Sequence, residues 1–505
     1  MNRAPSPMSY LLPRSAWGVL ALAALSAGCA ASAPAPSPAP AASAPRADAQ
    51  FPTTPPAIGP APALQLPSPE TRTLANGLKV MYVRMPELPV VSAALVTPAG
   101  STHDPANLPG LASFTASMLD EGAGGRDPLQ LAEALDLLGA RLSTGAGWDA
   151  AQVNLYVLRR NLPEALGLMA DVAVRPDFPA KEVTRVRDER IVELTRSRDL
   201  PAAVAGNAFQ ALVFGSKHPY GRLSTTQAVR GMDRSRLVQF HRSRYRPDQS
   251  TLILVGDVEP ASVQPLVEQA FGGWKANGAA PAFDAASLAA PEIARTTVYV
   301  VDKPGAAQSV IRIGHPGVAR NTPDYFPLMV LNTLLGGSFT SRLNQNLRET
   351  HGYTYGAGSS FQMRRGAGPF SAQAEVVSAK TDSAMIEFFR ELNRIRSEPI
   401  PADELERAKR YLALGFPQVL ETPSDAAQQM AGLVTYDLSP GFLAEYVPRV
   451  LAVTAEDVRR VANQYIRPDR AVVVVVGDRA SIEPTLRALN LGEVQVRPVE
   501  EFVKD

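Results

Sequence analysis

One strand is written twice in this chain, and that repeat limits the folds available to it. "RPDQSTLILVGD" runs from Arg246 to Asp257, and "RPDRAVVVVVGD" from Arg467 to Asp478. Each reads as a Pro-Asp turn, a buried apolar strand and a Gly-Asp stop. An upstream pair, "FPAKEVTRVRDERIVEL" from Phe178 and "IPADELERAKRYLALGF" from Ile400, is separated by nearly the same interval. Both members set Pro-Ala before an acidic first helical turn, as helix starts prefer. Two pairs at one offset predict a duplicated domain. At 505 residues the chain is too long for one ordinary core, which agrees. The halves are read as 70–275 and 293–495, joined by a linker at 276–292 and followed by a tail at 496–505.

Within the first half the elements alternate. Asn76-Gly77 is a turn that leads into a strand from Leu78 to Val83. Asp127-Pro128-Leu129-Gln130 offers an N-cap, an N1 proline and an N3 glutamine, opening a helix through Leu138. Val153, Leu155 and Val157 alternate as a half-buried strand does. Helices follow near 162–174, 179–197 and 258–271. The pattern predicts an α+β fold of two homologous halves, each with helices packed on a mostly antiparallel sheet.

Residues 1–29 stand apart. Arg3 and Arg14 precede the apolar run "WGVLALAALSA", which suits a signal peptide and is short for a membrane span. The run ends on small residues before Cys29, the only cysteine. This resembles a bacterial lipobox, with Ser26 where leucine is usual, and it predicts lipidation of Cys29. Cleavage nearby without a lipid is the alternative. Ala30 then implies sorting to the outer membrane of a Gram-negative cell, facing the periplasm. Residues 30–69 are rich in Ala, Pro and Ser, and at ~3 Å per residue they make an extended spacer reaching roughly 100 Å. A net charge of +1 with no long Lys/Arg run argues against nucleic acid as a partner.

The stretch "GLASFTASMLDEGAGG", Gly110 to Gly125, has the flanks of a catalytic helix without its catalysts. Ser113, Ala116 and Ser117 stand where ligands and a base are expected. Among the five histidines (His103, His218, His241, His315 and His351) no two share helical ligand spacing. No Gly-x-Ser-x-Gly motif surrounds either serine, so a serine nucleophile has no support.

"HPYGR" at His218–Arg222, both "RPD…VGD" strands and "GGSFTSRLNQNLRETHGYTYG" at Gly336–Gly356 together resemble the pitrilysin/insulinase family of zinc metallopeptidases, over Thr71 to Val494. In active members an inverted motif, His-x-x-Glu-His, supplies two zinc ligands and the base. Another glutamate some seventy to eighty residues on completes the site. Here the motif aligns with Ser113-Phe114-Thr115-Ala116-Ser117, and the distal position best matches Glu193. Glu193 is thus a vestigial metal-ligand candidate; the plainer reading makes it a solvated glutamate beside Arg190 and Arg196. The resemblance further implies that Arg348 and Tyr355 contact the substrate backbone. Gly336-Gly337 either let a peptide approach closely or end one helix before Ser338 or Thr340 caps the next. "HPYGR" shapes a loop and receives no catalytic role.

The expectation is a chain inactive alone, without catalytic residues or a cofactor of its own. It binds peptide and completes the chamber of a homologous partner that carries the zinc. Two rival readings are an envelope scaffold or peptide-binding protein with no peptidase partner, and an active metalloendopeptidase with a rearranged site.

Overall fold

The computed structural model describes Gly59 and residues 68–503. The signal-peptide and lipobox reading, Cys29 and most of the Ala/Pro-rich stretch lie outside those residues.

Among the described residues twelve strands form two six-stranded sheets. The first holds β1 (Glu70–Thr73), β2 (Lys79–Arg84), β3 (Val90–Thr97), β4 (Arg141–Ala146), β5 (Ala151–Leu158) and β6 (Thr251–Gly256), in the order β1-β2-β6-β3-β5-β4. The second holds β7 (Thr297–Asp302), β8 (Gln308–Pro316), β9 (Thr354–Phe361), β10 (Pro369–Val377), β11 (Val472–Gly477) and β12 (Glu493–Arg497), in the order β12-β7-β11-β8-β10-β9. Except for the outermost β1 and β12, the orders superpose strand for strand, as a duplication requires. The two repeated strands are β6 and β11, each buried along its whole length. Each runs parallel to one neighbour, β2 or β7, and antiparallel to the other, β3 or β8. The fold is α+β in two halves.

Local chemistry sets the helices. Asp127 and Gln130 form a reciprocal capping box that starts a helix at Pro128–Leu137. Pro179 and Pro401 cap the helices of the upstream repeat, Ala180–Ser197 and Ala402–Gly415.

The halves also lend each other cover. Strand residues alternate between faces, so each sheet has two apolar sides to bury. One face of the first sheet packs under its own helices through Val80, Val91, Leu95 and Leu254. Its other face, with Met81, Val83, Val96 and Ile253, meets Met430 and Ala427 of the helix Pro423–Thr435 from the second half. Reciprocally, the helix Pro201–Phe214 of the first half lays Val204, Ala208 and Phe209 over Val310, Val472 and Val474 of the second sheet. At ~25 cal/mol per Å2 of apolar surface, this exchange opposes separation of the halves.

Among the described residues, no helix is long and apolar enough to cross a membrane.

Candidate functional site

The helix α1 (Leu111–Ser117) carries the degenerate motif at the inner edge of the first sheet, near β4. Gly110 starts it at φ 98°, where a Cβ would meet Ser224 Oγ at 2.9 Å. Asp104, from the loop before it, caps the helix. Its carboxylate oxygens accept N–H bonds from Gly110 and Ala112, both at 2.7 Å. Burial pushes the Asp104 carboxyl up to about 7, against the downward pull of those two amides.

Phe114, Thr115 and Ala116 face the core, while Ser113 and Ser117 are half-buried on the inner side. Both hydroxyls donate back along their own helix, Ser113 to Gly110 O and Ser117 to Phe114 O, each at 3.0 Å. Their lone pairs take up an arginine. Arg190, on the helix Ala180–Ser197, donates to Ser113 Oγ at 3.2 Å, Ser113 O at 2.9 Å and Ser117 Oγ at 2.8 Å. Its guanidinium lies 5.0 Å from the centre of the Phe114 ring. Burial draws the Arg190 pKa downward, and Glu193 counters by favouring the charged form.

Glu193 does not join this cluster through any hydrogen bond or ion pair among the described residues, and its side chain is exposed. The residue that answers Ser113 and Ser117 is therefore Arg190, one helical turn earlier. The available signal was charge: Arg190 lies within the same seventy-to-eighty-residue window after the motif, with opposite sign to the glutamate sought there.

These residues do not fit zinc. Two hydroxyls, a methyl group and a guanidinium offer one fixed positive charge and no strong ligand. They also offer no base: the group bonded to both serines is a donor. Among the described residues no three His, Cys, Asp or Glu side chains converge on a common point. The histidines are scattered and used elsewhere. His241 bonds Ala173 O, His315 lies between Pro316 O and the Arg467 N–H, and burial lowers both to about 4. His351 stacks on Tyr353.

His218 belongs to a joint between the halves. Its Nδ1 accepts the Tyr220 N–H at 3.0 Å. The Tyr220 hydroxyl donates to Asp149 at 3.2 Å and accepts the Gly366 N–H at 3.0 Å. The Arg365 N–H donates to the other Asp149 oxygen, and the Arg364 guanidinium lies over Trp148 and Tyr220. The "HPYGR" loop thus locks one half to the other.

In the second half, two π-helical turns, Thr333–Gly337 and Gln345–Thr350, flank the Gly336–Gly356 segment's helical part. A Cβ on Gly336 would fall 2.2 Å from Ser359 N of β9, and one on Gly337 2.6 Å from Asn332 Nδ2. The close approach at both glycines is to the chain itself. Arg348 is half-buried, stacks 4.6 Å from the Phe339 ring centre and lies 3.4 Å from Glu349. Tyr355, on edge strand β9, is 90% exposed and lines a cleft that Arg348 does not line. A cavity of about 550 Å3 beside the linker contains none of the motif residues.

Two matched sheets, exchanged helices and an inward-facing helix at the first sheet's edge define a two-half peptidase-like fold. The chain belongs to the insulinase family, peptidase family M16. Residues 79–218 match the family's insulinase domain, and residues 231–412 match its domain described as the M16 inactive domain. It is 28% identical over 437 residues to an uncharacterized zinc protease of Mycobacterium tuberculosis, covering 85% of this chain and 98% of the relative. A similarly described protein of Bacillus subtilis is 22% identical over 404 residues, or 80% and 97% of the two chains. Among solved structures, an M16 inactive domain from Pseudomonas fluorescens superposes with a TM-score of 0.76 at 26% identity, covering 81% of this chain and 98% of the other. A protease from Helicobacter pylori shares the fold at a TM-score of 0.76 and 21% identity, covering 81% and 100%.

Proposed function

We propose that this chain is a non-catalytic subunit of an M16-type zinc peptidase. It binds peptide and completes the chamber and substrate site of a homologous partner that holds the zinc. The observation that carries this reading is Arg190 bonded to both Ser113 and Ser117, a fixed cation where the family's working members need metal ligands. The substrate-facing parts support it from the other side. Edge strand β4 offers unpaired backbone to an extended peptide, and β9 offers what remains of its edge beside the Ala357 N–H, which Asn344 Oδ1 already accepts. Tyr355 and Arg348 bring a hydroxyl and a guanidinium able to hold peptide carbonyls. On this reading Gly336 serves the substrate site indirectly, by seating β9, and Gly337 by packing on Asn332. Lipidated Cys29 would tether the chain to the outer membrane, facing the periplasm.

The test is purification of the full-length protein from its native membranes and, separately, alone. The pair should contain a homologue with an intact His-x-x-Glu-His and cleave peptides in a chelator-sensitive way. The isolated chain should do neither. Chelator-sensitive cleavage by the isolated chain would refute the proposal, and native isolation without a zinc-motif homologue would favour a scaffold.

A further inference from the structure

The second sheet holds a cation that no hydrogen bond or ion pair among the described residues compensates. Arg312 lies on β8 between Ile311 and Ile313, which face the core, so its own side chain emerges on the opposite face. Its strand partner on β10 is Gln373. Among the described residues the Arg312 guanidinium makes no hydrogen bond and no ion pair, and its Nε is shut off from solvent without an acceptor. Exposed Glu375 acts on it only through space. A partly desolvated, uncompensated charge costs stability, and an anion brought by a ligand removes that cost.

The surroundings suit such a ligand. Arg312 helps line a cavity of about 390 Å3 between the halves, against Gly110 and Ser113 of the motif helix. Arg222 lines it too. It donates to the carbonyls of Asp104 and Lys217, and its Nε is likewise buried without an acceptor. Asp104 is the only carboxylate in this lining, and both its oxygens are spent on the amides of α1. Arg312 also lines the cleft of about 460 Å3 that contains Tyr355, Gly356 and Gly358 of β9. It therefore stands where a peptide lying along β9 reaches the motif helix.

We propose that Arg312, with Arg222 in the same cavity, binds a carboxylate of the peptide held along β9. This rests on the peptide-binding reading above. Guanidinium and carboxylate match in geometry as well as charge. The carboxylate is either the peptide's C-terminus or an Asp or Glu side chain.

Trp148 lines the same cavity and reports occupancy by its fluorescence. The full-length protein is titrated with N-acetylglycine and N-acetylglycinamide, two probes small enough to need no strand pairing. Three decapeptides follow: one uncharged with a free C-terminus, its C-terminal amide, and that amide with one internal Glu. Wild type should prefer the acid probe to its amide by about tenfold. R312Q should bind the two alike, and R312K should retain part of the preference. R312Q removes an unpaired charge, so it should melt no lower than wild type. The decapeptide that gains over the plain amide identifies the carboxylate's source. Equal binding of acid and amide probes by wild type, or a preference that survives R312Q, overturns the site. If no decapeptide binds while the acid probe's preference persists, the peptide-binding reading fails and the carboxylate site stands.

Discussion

Arg190 makes a quantitative prediction about metal binding. Restoring the family's motif with S113H/A116E/S117H returns two imidazoles to one helical face but leaves the guanidinium beside them. Arg190 nitrogens sit 2.8 and 3.2 Å from the two serine hydroxyls, so an ion held by side chains at 113 and 117 would lie close by. For a divalent ion at ~4 Å and an effective dielectric near 20, the repulsion is ~8 kcal/mol. Arg190 has a cheaper course, which is to swing away. The restored motif has already removed its two hydroxyl acceptors. Leaving then costs the bond to Ser113 O, ~1.5 kcal/mol, and the contact with Phe114, ~0.5 kcal/mol. The lower route wins, and the penalty is about 2 kcal/mol, or ~30-fold in Kd. Adding R190Q to the restored motif should therefore tighten zinc binding ~30-fold, measured by competition with a chromophoric chelator at neutral pH. R190E should tighten it further by supplying a third ligand. Equal affinities, within about threefold, for the Arg190-retaining and R190Q proteins would refute this account of Arg190.

Two further predictions concern substrate contact and the motif helix. R348A should lower turnover of the reconstituted pair by at least ~10-fold with little change in melting temperature, because its partners Glu349 and Phe339 lie at the surface; unchanged turnover would remove Arg348 from substrate contact. D104N should cost about 2 kcal/mol in urea unfolding near pH 5, since the amide nitrogen cannot accept the second helix N–H, as the second carboxyl oxygen does even when protonated. The folded Asp104 pKa, about 7, lies above the ordinary 3.8, so its proton-linked stability is present at low pH and is lost as pH rises from about 4 through 7. The deficit of D104N should accordingly narrow toward pH 8, and a deficit that widens would contradict it.

Much of the architecture was legible because its signals are local. The Asp127–Gln130 box, the proline starts and the valine-rich β11 need only a few neighbouring residues to act, and the helices expected near 162–174 and 179–197 formed at Leu162–Val174 and Ala180–Ser197. The repeat required only comparison of the chain with itself, and it gave the two homologous halves, while the strand order within each sheet came from the structure. The rotation of one helix against another is a different kind of information. Whether Arg190 or Glu193 meets α1 is a question of about one helical turn, decided by the packing of the whole first half. Likewise no spacing rule shows that Gly336 is seated against Ser359, that Tyr220 bolts one half to the other, or that Arg312 is left without an anion. The sequence by itself determined two α+β halves and a helix with serine, alanine and serine at positions 113, 116 and 117. Only the tertiary structure decided what meets those side chains, because contacts between distant segments depend on the sum of all the burial that brings those segments together.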